Sequence, residues 1–411
     1  MILYGSKWRA LLFLTFLLTM RADDCPQWRG PQRDGVVSNG AAPAAWPERL
    51  KLRWKVGVGE GHASPILGGG RIYVLTRQSG KEVASSIDLE NGRIIWQQSY
   101  PAPYTMDPAA VRHGEGPKST PVLAGGRLYT FGISGILTCW DAATGTARWR
   151  KEFTHEYRGT SPDFGTAMSP VVDRGLLIAH IGGRTDGALT AFDAESGDVK
   201  WRWTGDSPAY ASPVIAELGG VRQVVTETHS HIVGVSASDG RLLWKIPFTT
   251  QYDQNIPTPV VYRDELILSG LSKGIMAVRP VEKDGNWRAE TVWRNDDVAL
   301  YMSSPVAKGD LLFGFSHYKK GQLFCLDLRT GATQWTGEPR QGDNAAVLTA
   351  GENLIFLKDD AEMIIAGATG KGFEPLRRYT VAESPTWAHP LILRDGVVIK
   401  DATTLARWST D

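Results

Sequence analysis

The 411-residue sequence has few cysteines, almost no net charge and few long apolar stretches. Only Cys25, Cys139 and Cys325 occur, and this odd, sparse set fits neither a disulfide framework nor the spacing of a metal site. Lys plus Arg is 45 and Asp plus Glu is 44, which argues against a dedicated nucleic-acid-binding protein or a polybasic membrane clamp. With 42% hydrophobic and 22% charged residues, the chain has the composition of a folded protein.

The one long apolar run lies at the N-terminus. Residues 10–20 follow two basic residues and are too few to span a bilayer, as is typical of a signal-peptide core. We therefore expect residues 1–22 to be a signal peptide, cleaved after Ala22, and the protein to be periplasmic or secreted. An uncleaved anchor is one alternative. Lipid attachment at Cys25 is another, although acidic residues precede this cysteine where small apolar ones are expected.

The sequence is rich in Gly (45), Pro (23) and Trp (15), and part of this content is a repeat. The pattern is Asp, three residues, Gly, three residues, Trp. A glycine in a tight turn, an aspartate that bonds turn amides and a large ring on the following strand suit the outer hairpin of a small sheet. The copies are Asp88-Gly92-Trp96, Asp141-Gly145-Trp149, Asp193-Gly197-Trp201, Asp327-Gly331-Trp335 and, without its Asp, Gly240-Trp244.

A second marker recurs in phase with the first, about every 45 residues. It is a small residue followed by proline at the start of an apolar run. Six copies are complete, His389-Pro390 is a weaker copy, and Ala346 fills the remaining slot. The complete copies begin at Ser64, Thr120, Ser169, Ser212, Thr258 and Ser304.

Each unit contains four short β-type runs, so the repeat predicts an all-β fold. We predict an eight-bladed β-propeller over residues 50–411, with four antiparallel strands per blade. A tandem array of independent small domains is the alternative, but such an array would not keep this phase. The chain ends after the third strand of its last blade, near Trp408. We therefore expect residues 50–57, around Trp54, to complete that blade, and residues 23–49 to cap the ring.

The repeat resembles the pyrroloquinoline quinone-type propeller repeat. Quinoprotein alcohol dehydrogenases and an outer-membrane protein assembly lipoprotein share that repeat. Residues 26–31 (PQWRGP), with Asp34 and Gly35 after them, are similar to the N-terminal signature of secreted bacterial propellers described as quinone-binding-like. The resemblance implies the fold well and the activity poorly, because one fold hosts both enzymes and binding scaffolds.

The resemblance also implies what a dehydrogenase of this kind would contain. Those enzymes hold the quinone and a calcium ion above the channel, with an adjacent Cys-Cys disulfide, an Asp base and Glu and Asn ligands. This sequence has no Cys-Cys pair and no short acidic cluster that could supply the oxygens calcium needs. We therefore expect no catalytic residue, metal or cofactor, and we interpret His229 and His231 as surface residues. A quinone-binding oxidoreductase with calcium and a reduced site remains the alternative.

Propellers bind ligands on the loops that enter their innermost strands. Three residues before the second residue of the small-Pro marker, each blade carries a different residue type. In some blades the residue before that position is also polar or aromatic. We predict that such residues form a binding site at the channel mouth, bordered by insertions at 98–118 and 152–168. The alternative is that they only plug the channel and pack the loops. The predicted binding residues are His62, Lys118, Tyr210, Asn255, Tyr301, Asn344 and Trp387.

Together these patterns predict a monomeric propeller scaffold of the cell envelope. We expect it to act in binding or assembly and to recognise a protein, peptide or polysaccharide rather than nucleic acid. We expect no catalysis.

Overall fold

The computed structural model describes residues 24–38 and 40–411. The predicted signal peptide, residues 1–22, lies outside the described residues. In the described part of the chain, no helix is both long and apolar enough to cross a membrane. Short strands dominate these residues, and their helical segments are three short 3-10 helices at Pro108–His113, Gln251–Asp253 and Tyr318–Lys320.

The strands follow the predicted repeat. Their bounds in chain order are β1 (Val36–Val37), β2 (Lys51–Gly57), β3 (Ile66–Gly68), β4 (Arg71–Gln78), β5 (Lys81–Asp88), β6 (Ile94–Pro101), β7 (Val122–Ala124), β8 (Arg127–Phe131), β9 (Leu137–Asp141), β10 (Ala147–Lys151), β11 (Val171–Asp173), β12 (Leu176–Gly182), β13 (Gly187–Asp193), β14 (Val199–Trp203), β15 (Val214–Leu218), β16 (Val221–Glu227), β17 (His231–Ser236), β18 (Leu242–Pro247), β19 (Val260–Tyr262), β20 (Glu265–Ser269), β21 (Ile275–Lys283), β22 (Asn286–Asn295), β23 (Val306–Lys308), β24 (Leu311–Ser316), β25 (Gln322–Asp327), β26 (Thr333–Thr336), β27 (Ala345–Ala350), β28 (Asn353–Lys358), β29 (Glu362–Gly367), β30 (Pro375–Thr380), β31 (Leu391–Leu393), β32 (Gly396–Lys400) and β33 (Thr404–Ser409).

These strands form eight sheets, which confirms the predicted eight-bladed propeller. Blades one to seven take four consecutive strands each, from β3–β6 through β27–β30, and neighbouring strands within a blade are antiparallel. The short strand β1 adds to blade seven in parallel with β27. Buried aliphatic and aromatic side chains pack between adjacent blades and form the core.

Blade eight joins the two ends of the ring, as predicted. β2 pairs antiparallel with β33, from Lys51 opposite Ser409 to Gly57 opposite Thr404. The sheet order is therefore β2-β33-β32-β31, with the N-terminal strand at the outer edge. This pairing covers a C-terminal strand edge that would otherwise be open to other chains.

The repeated Asp and Gly shape the outer turn of each standard blade. In blade one, the Asp88 carboxylate accepts the backbone N–H groups of Glu90 (2.9 Å) and Asn91 (3.1 Å). Gly92 donates its N–H to the Asp88 carbonyl (3.0 Å) and has a φ of 71°, a conformation that favours glycine. The same aspartate bonds recur at Asp141, Asp193 and Asp327.

The repeated Trp joins each standard blade to the next. The Trp96 indole N–H donates to the Ala142 carbonyl in blade two (3.0 Å), and its ring covers Gly145 so closely that a Cβ there would lie 2.7 Å away. A ring of the preceding blade covers the turn glycine in the same way at Gly92, Gly197, Gly240 and Gly331. The turn glycine therefore leaves space for the neighbouring ring as well as allowing the turn.

Trp244 breaks this pattern. Its indole N–H donates within its own blade, to the side-chain oxygen of Gln223 (2.7 Å). The next blade offers no matching turn, because β21 and β22 pair along their whole length from Ile275 to Asn295. Between blades four and five, a long hairpin thus replaces the standard junction.

Candidate functional site

The small residues of the second marker line the channel and bond from blade to blade. At five of these positions the backbone N–H donates to the hydroxyl of the following blade. The bonds run from Ser64 to Thr120 (3.1 Å), from Thr120 to Ser169 (2.9 Å), from Ser169 to Ser212 (2.9 Å), from Thr258 to Ser304 (3.0 Å) and from His389 to Ser64 (2.9 Å). Ala346 has no hydroxyl, so the chain of bonds is interrupted at blade seven. The sequence period located this hydroxyl ring but gave no sign of its hydrogen bonds.

Two buried arginines of the N-terminal segment cross the channel. The Arg29 guanidinium donates to the carbonyl of Ser304 (3.0 Å) and to that of the following proline, in blade six. The Arg33 guanidinium donates to the carbonyl of Ser169 (2.8 Å) and to that of the following proline (2.9 Å), in blade three. Burial lowers the pKa of Arg29 to about 10 and that of Arg33 to about 9. Both groups are still cations at neutral pH, held by backbone carbonyls.

Trp28, which precedes Arg29 in the N-terminal segment, lines the channel mouth. Its indole N–H donates to the Thr258 hydroxyl (2.9 Å), and its ring centroid lies 4.4 Å from that of His389. Residues 28–33 of the N-terminal segment therefore contact the marker residues of four blades, and the capping role of residues 23–49 stays a prediction.

A cavity of about 420 Å³ opens at the mouth above Trp28, with hydroxyls such as Ser212 and Thr258 also lining it. This size is typical of sites for small organic groups. Six of the seven predicted binding residues line the cavity, and their binding role stays a prediction. They are His62, Lys118, Tyr210, Tyr301, Asn344 and Trp387.

Asn255, the seventh, does not line the cavity. Its buried amide donates to the carbonyls of Thr228 (2.7 Å) and Phe248 (3.1 Å), and its side-chain oxygen accepts the Thr250 hydroxyl (3.0 Å). The side chain turns away from the axis to satisfy these groups. The preceding residue, Gln254, lines the cavity instead.

The insertion at residues 98–118 extends over the mouth. Its 3-10 helix ends at His113, whose carbonyl accepts the Nε2–H of His62 (2.8 Å) and whose ring lies 4.8 Å from that of Trp387. Arg112 in the same turn forms an ion pair with Asp343 (2.9 Å). Arg112 and His113 both line the cavity, although the sequence pattern placed them only in a bordering loop.

The second insertion, residues 152–168, supplies Phe164. Its ring lies 6.0 Å from that of Tyr210, and its backbone N–H donates to the Tyr210 hydroxyl (3.2 Å). Its carbonyl accepts the Lys118 ammonium (2.6 Å). The two insertions therefore meet above the channel through Lys118 and Phe164.

The mouth is positive and partly desolvated. Burial lowers the pKa of Lys118 to about 8. Burial lowers the pKa of His62 to about 3 and that of His113 to about 4, and the nearby cations act in the same direction. Both imidazoles are therefore neutral at pH 7, and none of the described residues that line the cavity is Asp or Glu.

The lining residues do not fit the quinone and calcium pair of the dehydrogenases. Calcium needs several carboxylate or carbonyl oxygens, and the cavity presents a lysine, an arginine and aromatic rings instead. In residues 24–38 and 40–411, no group of three or more His, Cys, Asp or Glu side chains could hold a metal ion. His229 and His231 face separate carboxylates, those of Asp253 (3.7 Å) and Asp206 (2.9 Å).

The fold and its repeated junctions define an eight-bladed propeller of the pyrroloquinoline quinone-repeat class. The family profile described as "Outer membrane protein assembly factor BamB" matches residues 80–337, more than half of the chain. The chain belongs to this family.

Its relatives include both assembly factors and enzymes. The outer membrane protein assembly factor BamB of Shewanella oneidensis is 25% identical over 298 residues, covering 69% of this chain and 71% of that protein. The quinohemoprotein alcohol dehydrogenase ADH-IIG of Pseudomonas putida is 24% identical over 336 residues, covering 80% of this chain but 38% of the enzyme. The crystal structure of BamB from Moraxella catarrhalis superimposes with a TM-score of 0.61 at 16% identity, covering 88% of this chain and all of that one.

Proposed function

We propose that this protein is a non-catalytic binding propeller of the cell envelope, whose channel-mouth cavity holds a group of a partner protein, peptide or polysaccharide. The observation that carries the proposal is the cavity itself. Aromatic rings from several blades and both insertions face one space, and Trp28 closes that space below. Such an aromatic-lined cavity, open at the mouth and bounded below by Trp28, is suited to holding a ligand group.

The family supports an assembly role. The Shewanella relative is an outer membrane protein assembly factor, and the alignment covers about two thirds of both chains. A periplasmic or secreted location agrees with the predicted signal peptide. We propose that the protein acts there as a monomer.

The alternative is a quinone-binding oxidoreductase, which the kinship with the Pseudomonas alcohol dehydrogenase supports. Adding pyrroloquinoline quinone and Ca²⁺ to the purified protein tests it, through the absorbance of bound quinone and dye reduction with alcohols. Saturable binding with turnover would establish the alternative and contradict the scaffold role.

A pull-down from envelope extract tests the binding role directly. The triple variant Tyr210→Ala, Tyr301→Ala and Trp387→Ala removes rings from the mouth, so we expect it to lose partners that the wild type recovers. A matched variant at the exposed rim residues Val199 and Val292 should recover them. Equal recovery by the mouth variant, with an unchanged circular dichroism spectrum, would contradict the proposal.

A further inference from the structure

The charges at the mouth do not balance. Arg112 is paired with Asp343 at 2.9 Å, so its charge is already compensated. The Lys118 ammonium has one hydrogen bond, to the carbonyl of Phe164 (2.6 Å), and no Asp or Glu of the described residues forms an ion pair with it. A desolvated ammonium without an anionic partner is unfavourable, so an anion that reached Lys118 would be held strongly.

The surroundings of Lys118 are aromatic. The carbonyl that it contacts belongs to Phe164, whose ring lies 6.0 Å from that of Tyr210. The Trp387 ring centroid lies 4.8 Å from that of His113, and both residues line the cavity together with Trp28. Aromatic rings therefore border a cavity of about 420 Å³, and of the two described cations that line it, Lys118 is the one without an ion pair.

We propose that the cavity takes a ligand with an aromatic body and a single carboxylate, which pairs with the Lys118 ammonium. This inference rests on the binding role proposed above and specifies the group that is bound. One carboxylate compensates the single unpaired cation. A polyanion would bring further charges into the cavity without partners, and a neutral ring would leave the lysine unpaired.

Two sources supply this chemistry. One is a free aromatic acid, and the other is the C-terminal residue of a polypeptide when that residue is aromatic. Both place a ring a few bonds from one carboxylate. The hydroxyls of Ser212 and Thr258 lie in the same cavity and can bond further polar atoms of either ligand.

Calorimetric titration of the full protein with 2-naphthylacetate and with its neutral amide tests the proposal. We expect the acid to bind at least about tenfold more tightly than the amide, as a hydrogen bond to a charged group implies. Lys118→Met should abolish this preference, and Lys118→Arg should retain it. Lys283→Met, at an exposed position of the blade-five hairpin, should also retain it.

The outcomes differ in what they say about this inference and about the proposed function. Equal binding of acid and amide by the wild type, or an unchanged preference in Lys118→Met, would overturn the inference and leave the mouth as a binding site. No binding of either probe at about 5 mM, a level at which even weak ligands register, would overturn the inference and count against the proposed function. The wild-type ratio and Lys118→Arg keep the test valid if Lys118→Met does not fold.

A second pair of probes distinguishes the two sources. A short peptide that ends in phenylalanine with a free carboxylate is compared with the same peptide amidated at its C-terminus. Tighter binding of the free-acid peptide than of 2-naphthylacetate supports a polypeptide C-terminus, and weaker binding supports a free aromatic acid.

Discussion

The outer rim of the ring and the mouth of its channel are built in opposite ways. At the rim, the same contact recurs from blade to blade, with a tryptophan ring of one blade over a turn glycine of the next. At the mouth, equivalent loop positions carry different side chains, including His62, Lys118 and Tyr210. The comparison indicates that the repeated contacts between blades hold the propeller together, and we call these contacts the frame. The loops between repeats differ in sequence from blade to blade and can therefore form a site.

Removing the closing strand should have the largest effect on this frame. We expect deletion of residues 51–57 to abolish cooperative folding, because β33 loses its partner and both ends of the ring open. Thermal melting followed by circular dichroism measures this. A variant that still melts as a single native-like transition would show that the ring does not depend on strand β2.

Removing a single tryptophan side chain should cost more stability at the rim than at the mouth. Trp201 is buried and donates to the Ala237 carbonyl of the next blade (3.1 Å), so Trp201→Ala should lower the free energy of unfolding by about 3–5 kcal/mol. Trp387→Ala at the half-buried mouth should cost about 1 kcal/mol or less. Urea unfolding measures both, and equal costs would contradict the division between frame and site.

Adding a methyl group at a turn glycine tests the other partner of the contact between the Trp ring and the glycine. Gly240 and Gly220 have similar φ values, 72° and 76°, but a Cβ at Gly240 would lie 2.4 Å from the Trp201 ring whereas a Cβ at Gly220 would meet nothing within 4 Å. Gly220→Ala should cost about 1 kcal/mol from backbone strain alone. Gly240→Ala should cost about 1–3 kcal/mol more, from the added clash. Equal costs in urea unfolding would mean that the ring contact has no energetic role.

As the pH falls, the titratable groups of the mouth should lose their contribution to stability at a higher pH than those of the rim. Burial lowers the pKa of His62 to about 3 and that of His113 to about 4, so below pH 6.5 the unfolded chain takes up protons that the folded mouth does not. The contribution of these two histidines to stability should therefore fall as the pH drops from about 6.5 towards 4. At the rim, hydrogen bonds lower the pKa of Asp141 below 3.8, so its contribution is lost only in stronger acid. The buried His180 and His389 shift in the same direction as the mouth histidines and add to the loss.

The double variant His62→Gln and His113→Gln shows how much of the pH-dependent loss of stability comes from the mouth histidines. Between pH 7 and pH 5 it should lose less stability in urea unfolding than the wild type does. A loss as large as that of the wild type would assign the whole effect to the other histidines.

The sequence predicted the rim well because each contact there is repeated. The Asp-Gly-Trp spacing located the blades, and the lone outer strand around Trp54 showed how the ring closes. Trp244 has the same spacing but a different partner, because the outcome depends on the long hairpin of the next blade. The position of a repeated Trp therefore predicts the glycine contact only where the next blade carries the matching turn.

For the mouth, the repeat spacing predicted only which loop positions lie near the channel axis. Six of the residues predicted from that spacing line the cavity, and their binding role stays a prediction. The spacing did not reveal that the Asn255 amide turns away from the axis to bond backbone carbonyls. Arg112 and Trp28 lie in segments outside the repeat. The hydrogen bond of Trp28 joins it to Thr258, which is 230 residues away in the chain, and no local pattern carries such a contact.

Site-specific photo-crosslinking in the envelope tests most directly whether the mouth binds and the rim only supports it. A photoreactive phenylalanine analogue is placed either at Trp387 in the mouth or at Val199, which is 41% exposed on the rim. We expect covalent adducts with one partner from position 387 and none from position 199. Adducts from position 199 alone, or equal adducts from both positions, would contradict the assignment of binding to the mouth.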